Sequence, residues 1–294
     1  MATPPLQERI ADAAVRLVDQ NPALSHRARG AYKVAKRTYL QIAALEKYIT
    51  STRDTPQNVY HASIQRTGSR WIRSIFSDPR IKKYSGLRIY PQHEYEIKNY
   101  HDHFPVHTFV PSLYISYEQY LRIKKPNRYK TFYVIRDPRN VTLSWYKSMK
   151  ETHKIVNESV KYYRRKFKKL GYKEGLVEAI KSYQVKISFM KDWFLMSKED
   201  PNVFIVKFED ITRKPEKTFK NILKKCSIEV PKQVLKSVLK SKDKKKMRDK
   251  DERRRYNEKS DYRERKTDWK REFDRVHVEE FKKINGKVAN IMGY

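Results

Sequence analysis

Gly68 stands in the run Gln65-Arg66-Thr67-Gly68-Ser69-Arg70, between an apolar, β-branched stretch (58–64) and an amphipathic one (70–76). A strand–loop–helix of this kind aims backbone N–H groups and a helix amino end at an anion. Arg66 and Arg70 add positive charge, and Thr67 and Ser69 add hydroxyl donors. Trp71, just inside the helix, offers a flat face to a base. The chain has only seven glycines, so one placed between a strand and a helix carries information. The pattern GxxxxGK[ST] is absent, which weakens a magnesium-dependent ATPase reading. Taken alone, the same run also reads as an ordinary turn with two exposed arginines.

A second cluster lies in Tyr133–Tyr146, where Arg136 ends an apolar strand and Ser144 follows eight positions later. A helix folding back along that strand lets Arg136 and Ser144 grip one phosphate, by charge-assisted bonds and a hydroxyl. Asp137 can accept from helix amino-terminal amides. The plainer reading pairs Arg136 with Asp137 and leaves Ser144 without a role.

The elements that must position these residues follow from periodicity. Strands are expected at 58–64, 87–90, 108–115, 130–136 and 203–208. Helices are expected at 70–76, stopped by Asp78-Pro79, from Pro138 to about Met149, at 174–198, at 215–225 and at 277–291. Glu209-Asp210 is read as a turn. Residues 1–55 carry helical spacing and are expected as an N-terminal helical extension packed on a main domain over 56–294. The charged, apolar-poor stretch 240–268 is expected as a mobile loop, a lid over the donor. Strands alternating with helices imply an α/β fold with a largely parallel sheet covered on both faces. In such sheets ligands sit at the carboxyl ends of the strands, where both clusters fall.

Lys and Arg number 67 against 34 acidic residues, a formal charge of +33. A surplus of this size attracts nucleotides, anionic polymers or anionic lipid, and serves equally as a solubility device. A lone cysteine, Cys226, forms no internal disulfide, and no Cys/His cluster has metal-ligand spacing. The first residues lack a signal-peptide core and charges interrupt every apolar run, so a cytoplasmic protein with no membrane span is expected.

The two clusters, in this order, resemble those of the sulfotransferase family that uses 3′-phosphoadenosine-5′-phosphosulfate (PAPS). The family's first loop reads roughly Pro-Lys-Ser-Gly-Thr-Thr-Trp, against Gln65 to Trp71 here. Its second block matches Tyr133 through Ser144. VKFEDI (206–211) is similar to its Tyr-Glu-Asp-Leu block, and YRERKTDWKREF (262–273) to its C-terminal Arg-Lys-Gly…Gly-Asp-Trp-Lys block, with both glycines lost. The resemblance covers about 57–290 and leans to microbial members.

It implies a P-loop-NTPase-like parallel sheet flanked by helices, PAPS as donor, and no metal. It further implies that Arg66 stabilises the leaving group in place of a lysine. Thr67, Gly68, Ser69 and Arg70 would hold the 5′-phosphate, and Trp71 would stack on adenine. Arg136, Ser144 and Arg263 would hold the 3′-phosphate, with Arg265 and Lys266 beside Arg263. A histidine general base is expected, and among His101, His103 and His107 the reading favours His107, although the end of the 108–115 run carries Ser112 and Tyr114 instead. The acceptor is a small molecule, glycan or lipid, anionic if the charge surplus serves it, and no nucleic acid is expected. Two other readings stand beside this one: a nucleotide kinase of related fold, and a basic, non-enzymatic nucleic-acid or polyanion binder.

Overall fold

Strand β1 (Asn58–Ser63) is buried at every position. A strand buried on both faces belongs to the middle of a parallel sheet. In the computed structural model, which describes residues 56–90, 104–153, 155, 157–242 and 268–294, that is its place. The other strands are β2 (Arg88–Ile89), β3 (Thr108–Leu113), β4 (Tyr129–Ile135) and β5 (Val203–Lys207). The order is β2-β3-β1-β4-β5 and every pair is parallel. The chain leaves β1 toward one edge and later crosses to the other side of it. The carboxyl ends of β1 and β4 therefore lie side by side, with Ser63 opposite Val134. This reversal is where open α/β sheets bind ligands.

The alternation of strand residues builds two apolar layers. On one face Val59, Phe109, Phe132 and Val134 meet α1 (Ser69–Phe76), α2 (Pro79–Ser85), α7 (Phe208–Arg213), α8 (Pro215–Lys225) and α9 (Lys232–Ser241). Phe76 stacks on Phe109 with centroids 4.1 Å apart and ring planes 8° from parallel. On the other face Tyr60, Ala62, Tyr133 and Ile135 meet α3 (Tyr117–Leu121), α4 (Pro138–Lys147), α5 (Glu158–Lys169), α6 (Tyr172–Met196) and α11 (Arg275–Ile291). A short helix, α10 (Trp269–Glu272), lies beside α4. Leu176, Ile180, Tyr183, Ile187, Met190 and Trp193 recur at helical spacing along α6 and are all buried. Each such side chain contributes up to about 1.5–3 kcal/mol of burial.

The sequence expectations for β1, β4, α1, α6, α8 and α11 agree with these elements to within two residues. Four elements differ from these expectations. Asp78 does not only stop α1: its Oδ1 accepts from Arg80 N at 3.1 Å and caps a new helix, α2. The 203–208 strand ends at Lys207, and α7 stands where a turn was expected. The helix from Pro138 ends at Lys147 and continues as a π-helical turn, Ser148–Thr152. The beginning of the 240–268 stretch belongs to α9, which runs to Ser241. The extension expected over 1–55 and the lid expected over 240–268, apart from its first and last residues, lie outside the described residues.

Candidate active site

The loop between β1 and α1 is shaped by left-handed backbone at Arg66 (φ 74°) and Gly68 (φ 84°). Gly68 is the N-cap of α1, and no side chain caps that end. The first N–H groups of a helix lack intrahelical partners and carry the positive end of its dipole. The first turn of α1 holds no acidic residue to offset it. A Cβ on Gly68 would come within 2.8 Å of Phe208 Cε2, so the glycine also lets α7 pack directly onto the loop.

The two sequence clusters converge here. Arg136, at the carboxyl end of β4, donates from Nη1 to the Arg66 carbonyl at 2.7 Å. Its guanidinium stacks over the Phe208 ring, 4.6 Å from the centroid. Arg66 in turn donates from Nε to Ser144 Oγ at 2.9 Å. Arg136 and Ser144 thus share Arg66 as a partner, one at its carbonyl and the other at its Nε. Two arginines at the sheet's switch point concentrate positive charge there, which suits an oxyanion.

The loop hydroxyls are turned inward. Thr67 Oγ1 donates to the Ile64 carbonyl at 2.8 Å, and Ser69 Oγ lies 3.1 Å from Ser63 Oγ. The Thr67 hydroxyl proton is thereby engaged within the loop, and the Ser69 hydroxyl is paired with that of Ser63. Arg70 is exposed at the second position of α1. Trp71 is only 7% exposed, packs edge-on against Phe219, and donates from Nε1 to the Lys242 carbonyl at 2.7 Å. Its ring packs into the layer behind α1.

A clamp built on the Asp137 cap holds the β4–α4 turn. Asp137 caps α4 by accepting from Arg139 N at 2.9 Å, and also pairs with the Arg139 side chain. Its Oδ2 accepts from Trp269 Nε1 at 3.0 Å, and Arg139 stacks on the Trp269 ring at 4.1 Å. Glu209 accepts from Asp137 N at 3.0 Å and from Tyr294 OH at 2.9 Å. Burial, then the Glu209 charge, raises the Tyr294 phenol well above its ordinary range, so it stays a donor. Tyr183 closes the other side, its hydroxyl 3.3 Å from Gln65 Oε1. Burial raises its ionisation well above the ordinary phenol range, against the pull of the Arg66 charge.

His107 is a correction. It immediately precedes β3, beside Asn58 at the amino end of β1, and is 4% exposed. The length of β1, on the order of 20 Å, separates it from the Arg66 loop. It cannot act as a base there. His101, His103, Arg263, Arg265 and Lys266 lie outside the described residues. Among the described residues, no group of three His, Cys, Asp or Glu is placed to hold a metal ion, and no helix is long and apolar enough to cross a membrane.

The fold has solved relatives. Mouse sulfotransferase SULT7A1 complexed with PAP superposes with a TM-score of 0.54 at 13% identity, covering 81% of this chain and 84% of that one. Retinol dehydratase in complex with androsterone and the inactive cofactor PAP gives 0.50 at 16% identity, covering 80% and 81%. No curated protein matches the chain in sequence. Residues 56–293 match the model of the sulfotransferase domain, and the chain belongs to that family.

Proposed function

We propose that the protein transfers a sulfo group from PAPS to a hydroxyl or amine of its acceptor by in-line displacement. The observation that supports this most directly is the convergence of Arg66, Arg136 and Ser144 around the amino end of α1. The solved relatives named above were crystallised with PAP, the desulfated donor, which lends the donor identity further support.

The residues present fit the phosphates of such a donor. Two guanidinium groups, a helix amino end free of acidic residues and a glycine turn supply charge and backbone donors. Arg136 would hold the 3′-phosphate, with Ser144 aligned through Arg66. Gly68, Ser69 and Arg70 would hold the 5′-phosphate. Arg263 joins them on the resemblance alone. Base stacking on Trp71 requires its face to be uncovered.

When bound, the donor supplies the sulfo group and a phosphate leaving group. Arg66 is fixed at both its carbonyl and its Nε, which would preorganise its cation toward the leaving phosphate oxygen. Removing one preorganised donor of this kind typically costs about 10²–10³ in rate. The Asp137–Trp269–Arg139 clamp keeps α4 and Ser144 in register with β4. The family match favours this reading over a nucleotide kinase or a basic binding protein.

Incubating the protein and donor carrying a radiolabelled sulfo group with fractionated cell extract tests the proposal. A labelled acceptor should form in at least one fraction and vanish with Arg136→Ala. Release of labelled inorganic sulfate alone, with no organic product in any fraction, would contradict it.

A further inference from the structure

Strand β3 carries an irregularity that the donor site does not use. Its register against β1 runs Tyr60↔Val110 and then Ala62↔Leu113, so Pro111 and Ser112 together face His61. Two residues opposing one is a β-bulge, a device that re-aims side chains and recurs beside active sites. Pro111 has no N–H for the ladder. Ser112 adopts φ 62°, and its N–H donates to His61 Nδ1 at 3.1 Å, a side chain standing in for the missing ladder acceptor. His61 is fully buried and stacks on Phe132 at 5.0 Å. Its Nε2 and Ser112 Oγ are both buried without hydrogen-bond partners. Orphaned buried polar groups are costly, so a fold that keeps two at one bulge has a reason to keep the bulge.

The consequence lies two residues on. Val110 and Leu113 face the same core layer although they are three positions apart, and Ile115 joins them there. Unbroken alternation would instead send Tyr114 into that layer beside Val110. The bulge shifts the phase, so Tyr114 stands half-buried between Leu113 and Ile115 at the carboxyl end of β3. Leu113 pairs with Ala62, so Tyr114 leaves β3 at the same edge of the sheet at which β1 leads into Gln65 and Arg66, and its phenol bears on the ionisation of Tyr183. Tyr183 in turn touches Gln65, the neighbour of Arg66.

We propose that Tyr114 hydrogen-bonds the nucleophilic hydroxyl or amine of the acceptor next to Arg66, and that His61 is the positioning residue that aims it there through the Ser112 bulge. The inference rests on the sulfo-transfer reading and assigns the acceptor side that His107 leaves vacant.

The test compares wild type, Tyr114→Phe, His61→Phe and the double variant. Two quantities are read: affinity for adenosine 3′,5′-bisphosphate by calorimetry, and labelled sulfo transfer to the small-molecule fraction of an extract. For both single variants, bisphosphate affinity should stay within about twofold while transfer falls about tenfold or more. The double variant should be no worse than the poorer single one, because both act through the same hydroxyl. Tyr114→Phe removes one hydroxyl and decides the matter even where His61→Phe fails to fold. Full transfer by Tyr114→Phe, losses that multiply in the double variant, or a parallel loss of bisphosphate affinity would overturn the inference. A wild-type protein that binds the bisphosphate and labels nothing would overturn the transfer reading itself.

Discussion

Replacing Gly68 with alanine separates two costs that the structure assigns to one position. The first is conformational: at φ 84° an alanine is held in left-handed backbone, worth about 1–2 kcal/mol. The second is steric. The new Cβ would lie 2.8 Å from Phe208 Cε2 and 3.2 Å from Cδ2, so the ring must shift. Overpacking of this kind costs about 1–3 kcal/mol. The sum is about 2–5 kcal/mol. Gly86 provides the control. It has φ 64° with nothing within 4 Å of a built Cβ, so Gly86→Ala should show only the conformational cost. Urea unfolding of both variants measures the difference, expected at about 1–3 kcal/mol in the direction of a less stable Gly68→Ala. Because Phe208 also carries the Arg136 guanidinium, Gly68→Ala should weaken binding of adenosine 3′,5′-bisphosphate, and Gly86→Ala should not. Equal destabilisation by the two substitutions would refute the packing argument.

Arg66→Lys keeps a cation at the loop but loses the fork that holds Ser144, so sulfo transfer should survive at a reduced rate, whereas Arg66→Ala should lose about 10²–10³, read as kcat with labelled donor. Equal rates for the two variants would remove Arg66 from the chemistry. Burial lowers the His61 pKa from 6.5 to about 3. Between those values the unfolded chain binds a proton that the folded one does not, so stability is complete above pH 6.5 and is lost as pH falls toward 3. The slope attributable to this one group is at most about 1.4 kcal/mol per pH unit, and His61→Phe should remove it from urea-unfolding series taken between pH 7 and pH 4. An unchanged slope in the variant would show that His61 is not held neutral.

The sheet was legible because its central strands are long apolar runs, and the turns after them carry unambiguous punctuation in Gly68 and in Asp137-Pro138. The convergence of Arg66, Arg136 and Ser144 was legible for the same reason: each follows a parallel strand, and parallel strands point the same way. The same rule places His107 away from the site, since a residue before a parallel strand sits at the far edge from one after it. Asp78 both ends α1 and begins α2, because an aspartate before a proline serves as well to cap a helix as to stop one. The Thr67 hydroxyl looked available because nothing in the sequence reveals that the Ile64 carbonyl takes it. Glu209 and Trp269 lie in blocks that the family resemblance marks, but their partners are 72 and 132 positions away, and Tyr183, 118 positions from Gln65, left no signal. The bulge at Ser112 left one trace, a proline inside an apolar run, which marks an interrupted ladder.

The central claim is a paired phosphate site at the β1 and β4 ends, one for the 5′-phosphate and one for the 3′-phosphate. Calorimetric titration with adenosine 3′,5′-bisphosphate and with AMP, both without magnesium, tests it most directly. The bisphosphate should bind more tightly by at least about tenfold, and Arg136→Ala should weaken it by about 2–5 kcal/mol while leaving AMP nearly unaffected. Equal affinities for the two nucleotides, or a bisphosphate affinity indifferent to Arg136, would contradict it.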